Sequence, residues 1–482
     1  MTISFRGGCM TVIRLDGILD STLREGEQTP TVYFTPEEKC RIAEMIYLTL
    51  GSRSVLEIGA PYSPEYTEGV EAVVKYFDER GYKALLASHC RTLRGDVDIA
   101  WKCGTRCITV FMAASDKHLL YKFDGLSYEA ALNRISDVIR YAKDIVGFDR
   151  VEYTLEDATS MPIERIIEVA KTAEEAGADV VKIPDTKGQT DPWSFYDIIS
   201  KLVESISIPV DVHCHNDRGL AVANSIAALK AGARYVNVAV MGLGERCGIA
   251  DMATLVENLE TLYGVDTGVN FKMIPKLYRY VSAVTGIPIH PQHPIIGRFA
   301  RIHKAGTHQK TVLRAPDAYE TIDWGKYGLE REYEFGAMQS KELVNYILRG
   351  FDVSEDKKTE IVEEIRRRSM HLKRSLKMSE VWRIIEEKTG ISMKTYEEYF
   401  DAIIFIKTKP SIDEESFLRM LREYLLELEM TWTTYEVTGL WDYILHLKNV
   451  GGGQQLDEIT ARIRRMPAVV DTSTSIVFEE YR

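Results

Sequence analysis

Three short polar segments of this sequence carry side chains that could do chemistry together. They read DSTLREGEQ from Asp20, HCHND from His213 and GLGERCG from Gly242. His213 and His215 are two residues apart, so on a strand both imidazoles point to the same face. Two imidazoles with one carboxylate, supplied here by Glu25, make a three-point metal site that leaves positions open for substrate. The segments therefore predict a site for one divalent cation: Zn, Mn, Co or Mg.

The same segments also admit a purely structural interpretation. An isolated His-x-His pair is more often one buried, hydrogen-bonded histidine and one that faces solvent. Arg24 could stabilise a developing oxyanion beside the metal, or it could form an ion pair with Asp20 or Glu57. The glycines of the third segment could cradle a phosphate or simply allow close packing. The neighbouring Asn216 and Asp217, with an acidic partner on an adjacent strand, favour the metal site.

Eight strand-like runs alternate with amphipathic stretches from residue 16 to about 262. The runs are Gly17–Thr22, Ser54–Gly59, Tyr82–Ser88, Cys107–Ala113, Arg150–Glu156, Asp179–Pro184, Pro209–His215 and Arg234–Val240. Gly177 and Gly232 stop helical stretches before the next strand. Eight β-then-α units predict an α/β fold, the (β/α)8 TIM barrel, with a doubly wound open sheet as the alternative. Closure would bring strands 7, 8 and 1 together, so Glu25 could reach the histidine pair.

The rest of the chain predicts two further parts. After a catalytic barrel domain at 1–285, residues 286–397 are mostly helical and predict a linker or lid extension. Residues 398–482 follow the order β-α-β-β-α-β, which is typical of a ferredoxin-like α+β domain. Its predicted elements are Ala402–Lys407, Asp413–Glu427, Thr433–Thr438, Asp442–Lys448, Leu456–Arg464 and Thr472–Phe478.

Composition limits the partners and the compartment. The net charge of −12 argues against a nucleic-acid partner, which needs a basic surface. No apolar run approaches the roughly 18 residues of a membrane span, and MTISFRGGCMTVIR lacks a signal-peptide core, so a cytoplasmic protein is expected. Cys103 and Cys107 could be half a metal site, but small buried residues are the simpler interpretation. The odd, uneven set of cysteines indicates reduced thiols: Cys9, Cys40, Cys90, Cys103, Cys107, Cys214 and Cys247.

The three polar segments, read with the later stretch HKAGTHQKTVLRAPDAYE, closely resemble the signatures of the homocitrate synthase and isopropylmalate synthase family. That family includes Re-type citrate synthases. The resemblance spans about residues 16 to 345, with the segment order preserved. It implies a metal-dependent acyltransferase of amino-acid biosynthesis that joins acetyl-CoA to a 2-oxo acid and releases CoA. It also implies that Glu25, His213 and His215 hold the metal and that Arg24 assists at the carbonyl.

The resemblance further implies residues outside the metal site. His308 and Tyr319 match a catalytic histidine and tyrosine that reach into the partner subunit's active site, which implies a domain-exchanged homodimer. A packing or capping role is the alternative for His308, and His303 in the same motif is the weaker catalytic candidate. His89 and Thr186 match substrate-pocket positions.

The first and fifth strand motifs bear on the substrate. Glutamate follows Arg24, as in homocitrate synthases, whereas isopropylmalate synthases usually carry aspartate there. The resemblance thus implies a 2-oxo dicarboxylic acid, 2-oxoglutarate first. Homocitrate synthases usually have arginine where VEYTLED carries Glu152, and Arg150, two residues earlier on the same face, could substitute in binding substrate. This departure keeps open oxaloacetate as the substrate of a Re-type citrate synthase, and isopropylmalate or citramalate synthase activity.

The C-terminal part resembles the small effector-binding domain of Lrp/AsnC-type regulators in EVTGLWDYILHLKN and DTSTSIVFEE. The resemblance implies a regulatory or assembly domain and an amino-acid effector as a candidate partner. An amino-acid-responsive regulator is the non-enzyme alternative, but it would leave the metal triad unexplained. Carboxyltransferase domains are a further rival, and they need a strand-6 lysine where KIPDT has Pro184.

Overall fold

The computed structural model describes residues 12–62, 64–391, 399–410, 413–428 and 430–477. Its first part is a closed barrel of eight parallel strands. Strand β1 pairs with β8 as well as with β2, so the sheet has no free edge and the predicted barrel is confirmed. The strands are β1 (Gly17–Asp20), β2 (Val55–Gly59), β3 (Leu85–Arg91), β4 (Cys107–Ala113), β5 (Arg150–Glu156), β6 (Val180–Asp185), β7 (Val210–Cys214) and β8 (Tyr235–Val238).

The helices of this part begin and end at local signals in the sequence. Thr35 and Glu38 form a reciprocal capping box at the first helix, and Gly177 and Gly232 adopt φ of 97° and 112° just after two others. The helices are α1 (Pro36–Leu50), α2 (Pro64–Arg80), α3 (Arg94–Lys102), α4 (Asp116–Tyr121), α5 (Tyr128–Arg140), α6 (Ile163–Glu175), α7 (Pro192–Val203), α8 (Ala221–Lys230), α9 (Met252–Tyr263) and α10 (Ile274–Thr285).

By compactness the chain divides into two units, Met1–Ala300 with Lys326–Gly328 and Arg301–Gly325 with Leu329–Arg482. The division into 1–285, 286–397 and 398–482 stays a prediction. The second unit starts with two short parallel strands and four helices, and the last three of these helices share an apolar core. These elements are β9 (Ile302–His303), α11 (Gly306–Val312), β10 (Glu332–Tyr333), α12 (Lys341–Ile347), α13 (Glu355–Leu372) and α14 (Met378–Thr389).

The last part of the second unit is a four-stranded antiparallel sheet with two helices. Its elements are β11 (Tyr399–Thr408), α15 (Glu414–Glu427), β12 (Thr431–Glu436), β13 (Tyr443–Gly451), α16 (Gly452–Arg464) and β14 (Val469–Val477). The strand order β12-β13-β11-β14 with this element order is ferredoxin-like, as predicted. Ile404, Leu445 and Phe417 lie in its apolar core. The predicted strand end at Phe478 lies outside the described residues.

The cysteines and the remaining apolar segments give no further site. The six described cysteines are free thiols, and Cys103 and Cys107 are buried, in line with the simpler interpretation. Cys9 and the rest of the N-terminal segment to residue 11 lie outside the described residues. Within the described chain, no helix has the length and apolarity needed to cross a membrane.

Candidate metal centre and active site

Two strand ends at the carboxyl end of the barrel bring the predicted triad together. Glu25 follows β1, His213 lies in β7, and His215 comes just after that strand. His213 Nε2 and His215 Nε2 each lie 4.0 Å from a Glu25 carboxylate oxygen. The ligand atoms of all three residues lie within 4.8 Å of one another, and all three are buried. The geometry can therefore hold a single metal ion.

The orientation of His213 suits a metal ligand. Its Nδ1 lies 3.1 Å from Asn237 Oδ1, and Asn237 Nδ2 donates to Asp211 Oδ2 at 2.6 Å. Because the Asn237 amide is fixed in this way, its oxygen accepts the Nδ1 proton of His213 and the Nε2 lone pair faces Glu25. His215 Nδ1 is buried and has no hydrogen-bond partner among the described residues.

The charge states also fit a divalent cation. Burial lowers the pKa of His213 to about 3 against the pull of Glu25, and burial likewise lowers the pKa of His215. Burial opposes the ionisation of Glu25, but Arg24 and the two imidazoles outweigh it and bring its pKa to about 2. One carboxylate and two neutral imidazoles are a donor set that Zn, Mn or Co accepts readily.

Arg24 takes part in two ion pairs. Its guanidinium contacts the Glu25 carboxylate, and its Nε donates to Glu57 Oε2 at 2.7 Å. Arg24 therefore forms the ion pair with Glu57 that was its structural alternative, and it also lies beside the triad. Asp20 instead accepts hydrogen bonds from the backbone and side chain of Thr22. The carboxylates of Glu25 and Glu57 hold the guanidinium at the mouth of the metal centre.

Close packing explains the glycine-rich loop after β8. A Cβ at Gly244 would lie 2.8 Å from Glu25 Cγ, and a Cβ at Gly248 would lie 1.8 Å from Gly242 O. The backbone N–H of Glu245 donates to Glu25 Oε1 at 3.1 Å. The loop thus presses its backbone against the carboxylate of the triad, which favours the packing interpretation over a phosphate cradle.

The two predicted pocket residues lie at the same end of the barrel. His89, near the end of β3, stacks on Phe111 with ring centroids 4.6 Å apart, and its Nδ1 lies 3.2 Å from Glu57 Oε1. Thr186 follows β6, and its Oγ1 accepts the Asp157 backbone N–H at 2.9 Å.

Arg150 and Glu152 occupy a different place from the one expected. Arg150 is the first residue of β5, and its Nη1 donates to the hydroxyl of Tyr235, the first residue of β8. Its Nε donates to the fully buried Glu152 at 2.7 Å. Both strand starts are at the amino end of the barrel, opposite the triad. This corrects the expectation that Arg150 and Glu152 bind substrate, because the two are paired with each other in the barrel interior.

His308 and Tyr319 belong to the second unit and contact each other. Their rings stack with centroids 4.0 Å apart and 25° between planes. His303 Nε2 lies 2.7 Å from Glu320 Oε1, and Glu320 also pairs with Arg331. His303 therefore has a structural partner, whereas the ring of His308 lies against the half-exposed phenol of Tyr319.

Several polar side chains on the barrel strands were not singled out from the sequence as site residues. Asn237 orients His213, and Thr154 Oγ1 is buried without a hydrogen-bond partner among the described residues. Glu57 was considered only as an ion-pair partner, yet it contacts both Arg24 and His89. A polar residue at an inward position of an otherwise apolar strand is the signal that could have found them.

Two family descriptions match this chain. The HMGL-like family matches residues 17–281, more than half of the chain. The homocitrate synthase post-HMGL domain-like family matches residues 295–371. The first match covers the barrel with its triad, and the second covers the segment with His308 and Tyr319.

Individual relatives carry two kinds of name. The chain is 38% identical over 351 residues to the homocitrate synthase AksA of Methanopyrus kandleri, covering 73% of this chain and 86% of that protein. It is 39% identical to a 2-isopropylmalate synthase of Sulfolobus acidocaldarius, covering 72% and 89%. A homocitrate synthase of Saccharolobus islandicus is 32% identical over 469 residues, covering 96% of this chain and 99% of that protein.

Solved structures agree on the fold of the barrel. The HMG-CoA lyase of Bacillus subtilis superimposes with a TM-score of 0.52 at 22% identity, covering 59% of this chain and 98% of that one. At this identity the likeness concerns the fold alone.

Proposed function

This chain belongs to the HMGL-like family together with homocitrate and 2-isopropylmalate synthases, and on that premise we propose that it joins acetyl-CoA to a 2-oxo dicarboxylic acid with release of CoA. The observation that carries the proposal is the convergence of Glu25, His213 and His215 beside Arg24 at the carboxyl end of the barrel. A 2-oxo acid offers a carbonyl and a carboxylate oxygen side by side, which suits such a centre.

The triad would hold one divalent cation, which supplies Lewis-acid polarisation of the 2-oxo acid when bound. Arg24 donates hydrogen bonds to the oxygen that becomes negative as the new carbon–carbon bond forms. Glu57 and Glu25 hold the guanidinium from two sides, so it needs no reorganisation during the reaction. Asn237 keeps the Nδ1 proton on His213 and thus keeps Nε2 a ligand.

The proton of the acetyl methyl needs a base, and His308 is proposed for this role. The methyl is a weak acid, so a positioned base must accept its proton as the nucleophile forms. Tyr319, stacked on the imidazole, keeps the ring in place and offers its hydroxyl for proton transfer. Water then cleaves the thioester and CoA leaves.

We further propose that two chains build each site, in the cytoplasm, as a domain-exchanged homodimer. The support is that His308 and Tyr319 lie in a different compact unit from the triad. Inactive Arg24→Ala and His308→Ala chains should regain partial turnover when they are co-assembled. Verified heterodimers without any turnover would show that each site is built from one chain.

2-Oxoglutarate is the proposed substrate, because the relative that covers 96% of the chain is named homocitrate synthase. The 2-isopropylmalate synthases at similar identity favour 2-oxoisovalerate as a second candidate. Acetyl-CoA-dependent thiol release should be measured as kcat/KM for 2-oxoglutarate, oxaloacetate, 2-oxoisovalerate and pyruvate. We expect one of the two dicarboxylic acids to exceed the branched acid by at least about 100-fold, since unpaired polar groups are costly to bury. A preference for 2-oxoisovalerate would overturn the substrate assignment.

The C-terminal sheet domain is proposed to bind an amino-acid effector or to mediate assembly. Deletion from about residue 398 should leave turnover intact and abolish end-product inhibition under the regulatory proposal, with lysine as the first effector to try. If the deletion breaks the oligomer but leaves the inhibition unchanged, the C-terminal domain serves assembly and not regulation.

A further inference from the structure

A lysine side chain is buried in the barrel interior next to the site. Lys182 is the third residue of β6 and is 1% exposed. Its Nζ lies 3.1 Å from Glu57 Oε1, 3.5 Å from Glu152 Oε2 and 3.6 Å from Asp211 Oδ2. An ammonium group is costly to bury unless carboxylates compensate its charge. The three carboxylates explain how the ammonium of Lys182 can be buried, but they differ in their distance from it and in their other partners.

All three carboxylates also have partners other than Lys182. Glu152 accepts a hydrogen bond from Arg150 Nε at 2.7 Å, which is shorter than its distance to Lys182. Asp211 accepts a hydrogen bond from Asn237 Nδ2 at 2.6 Å, which is likewise shorter than its 3.6 Å distance to Lys182 Nζ. Glu57 makes the shortest of the three contacts with Lys182, 3.1 Å against 3.5 and 3.6 Å, so it is the carboxylate on which loss of the ammonium should act most directly.

Glu57 in turn joins the lysine to the reactive end of the site. Its Oε1 is shared by Lys182 and His89, and its Oε2 accepts from Arg24 and from Ser21. The Glu57 side chain has no exposed surface. Among the described residues, these four partners therefore determine the orientation of its carboxylate. A shift of Glu57 would be transmitted to Arg24 and His89.

We propose that Lys182 is a positioning residue of this enzyme, acting through Glu57 to hold Arg24 and His89 in their working orientation. This role rests on the proposed function. Without the ammonium, the buried negative charge of Glu57 would be balanced mainly by Arg24, and the guanidinium would be drawn towards Glu57 and away from the carbonyl oxygen it serves. Lys182 itself contacts neither the triad nor, on this account, the substrate.

A double-mutant cycle on the full-length protein separates this role from simple charge balance in the core. We expect Lys182→Met to lower kcat by about 10- to 100-fold while KM for acetyl-CoA and the bound metal content stay close to wild type. In a Glu57→Gln background the same change should alter kcat by less than about threefold, because a residue that acts through another has nothing left to act on.

Lys182→Met/Glu152→Gln is the matched control. It removes one buried positive and one buried negative charge, so the thermal midpoint should recover towards wild type, while kcat should stay low because Glu57 still lacks its partner. Full recovery of kcat in this double variant, or equal effects of Lys182→Met with and without Glu57, would overturn the positioning role. If Lys182→Met alone does not fold, the double variant against Glu152→Gln gives the same comparison.

The wild-type protein in the same assay distinguishes the two proposals. If the wild-type protein turns over and the Lys182 variants have the same kcat, only the proposed role of Lys182 is rejected. No wild-type turnover with any 2-oxo acid, at full metal content, would remove the proposed function and this role with it.

Discussion

The interior of the barrel and the core of the C-terminal sheet domain are built in opposite ways. The barrel interior buries charged side chains that contact one another, among them Glu57, Lys182 and Glu152. The C-terminal core consists of apolar side chains such as Ile404 and Leu445, and no charged side chain is buried among the described residues from 399 to 477. The side chains named in both regions are at most 1% exposed, so the difference lies in what the buried groups do.

Buried ion pairs are poor sources of stability. Desolvation of two charges commonly cancels their attraction, and apolar side chains of similar size stabilise a core as well or better. The C-terminal domain follows that rule. The barrel departs from this rule at Glu57, whose carboxylate contacts Arg24 and His89. These contacts indicate that the buried charges of the barrel serve to orient the site. Changes in the two cores should therefore have different consequences for turnover.

The largest effect is expected for Glu57→Gln in the barrel. The amide cannot balance Arg24 and Lys182, so kcat should fall by about 100- to 1000-fold, the range seen when one oxyanion donor is lost. The free energy of unfolding should also fall, by about 3 kcal/mol, because two cations lose their buried partner. Steady-state kinetics and denaturant unfolding measure the two quantities.

Glu152→Gln is the control for Glu57→Gln. It breaks buried ion pairs with Arg150 and Lys182 at the other end of the network and should cost a similar free energy of unfolding. Its kcat should stay within about threefold of wild type, since it does not contact Arg24. If both variants lost turnover equally, the interior charges would matter only for folding.

A smaller and purely structural effect is expected for Leu445→Ala in the C-terminal core. Loss of a fully buried leucine should lower the stability of that domain by about 3 kcal/mol through the cavity it leaves. Turnover at 25 °C should not change. Leu440→Ala, at a side chain that is 85% exposed, is the matched control and should change stability by less than about 0.5 kcal/mol. Loss of kcat in the folded Leu445→Ala protein would contradict the contrast between the two cores.

The smallest effect is expected at an ion pair on the barrel rim. His293 Nε2 lies 3.3 Å from Asp251 Oδ2, which also accepts from the Tyr278 hydroxyl. Burial opposes protonation of His293, but the hydrogen bond to Asp251 outweighs it and raises the pKa above the ordinary 6.5. The raised pKa means that the stabilisation is complete below pH 6.5 and is lost as the pH rises through the folded value.

His293→Gln should remove this pH dependence. The variant should be less stable than wild type by at most about 1 kcal/mol below pH 6.5, and the difference should vanish at higher pH. Unfolding curves between pH 5.5 and 9 measure it. A difference that grows with pH would mean that the neutral imidazole is the stabilising form.

Periodicity and strand-end polarity were enough to predict the barrel and the triad. Alternation along β7 places His213 and His215 on one face. Barrel closure leaves only β8 between β7 and β1, and this places Glu25 beside the pair. The ferredoxin-like order followed in the same way from the last six elements.

The interior network could not be predicted in that way. Lys182 on β6 and Glu57 on β2 lie four strands apart around the barrel, so their contact depends on side-chain length across its interior and not on local pattern. The error at Arg150 has a related cause. The prediction that Arg150 and Glu152 point to the same face of β5 was correct. A shared face, however, does not show that Arg150 lies at the amino end of the barrel, away from the triad.

Metal content and turnover, measured on the same protein, decide whether Glu25, His213 and His215 form a catalytic metal centre. We expect the wild-type protein to hold one divalent cation per chain, chelation to abolish acetyl-CoA-dependent thiol release, and added Zn, Mn, Co or Mg to restore it. We expect His213→Ala to remain folded but neither to retain the cation nor to turn over. Full turnover by metal-free protein, or by His213→Ala without bound metal, would contradict the assignment of Glu25, His213 and His215.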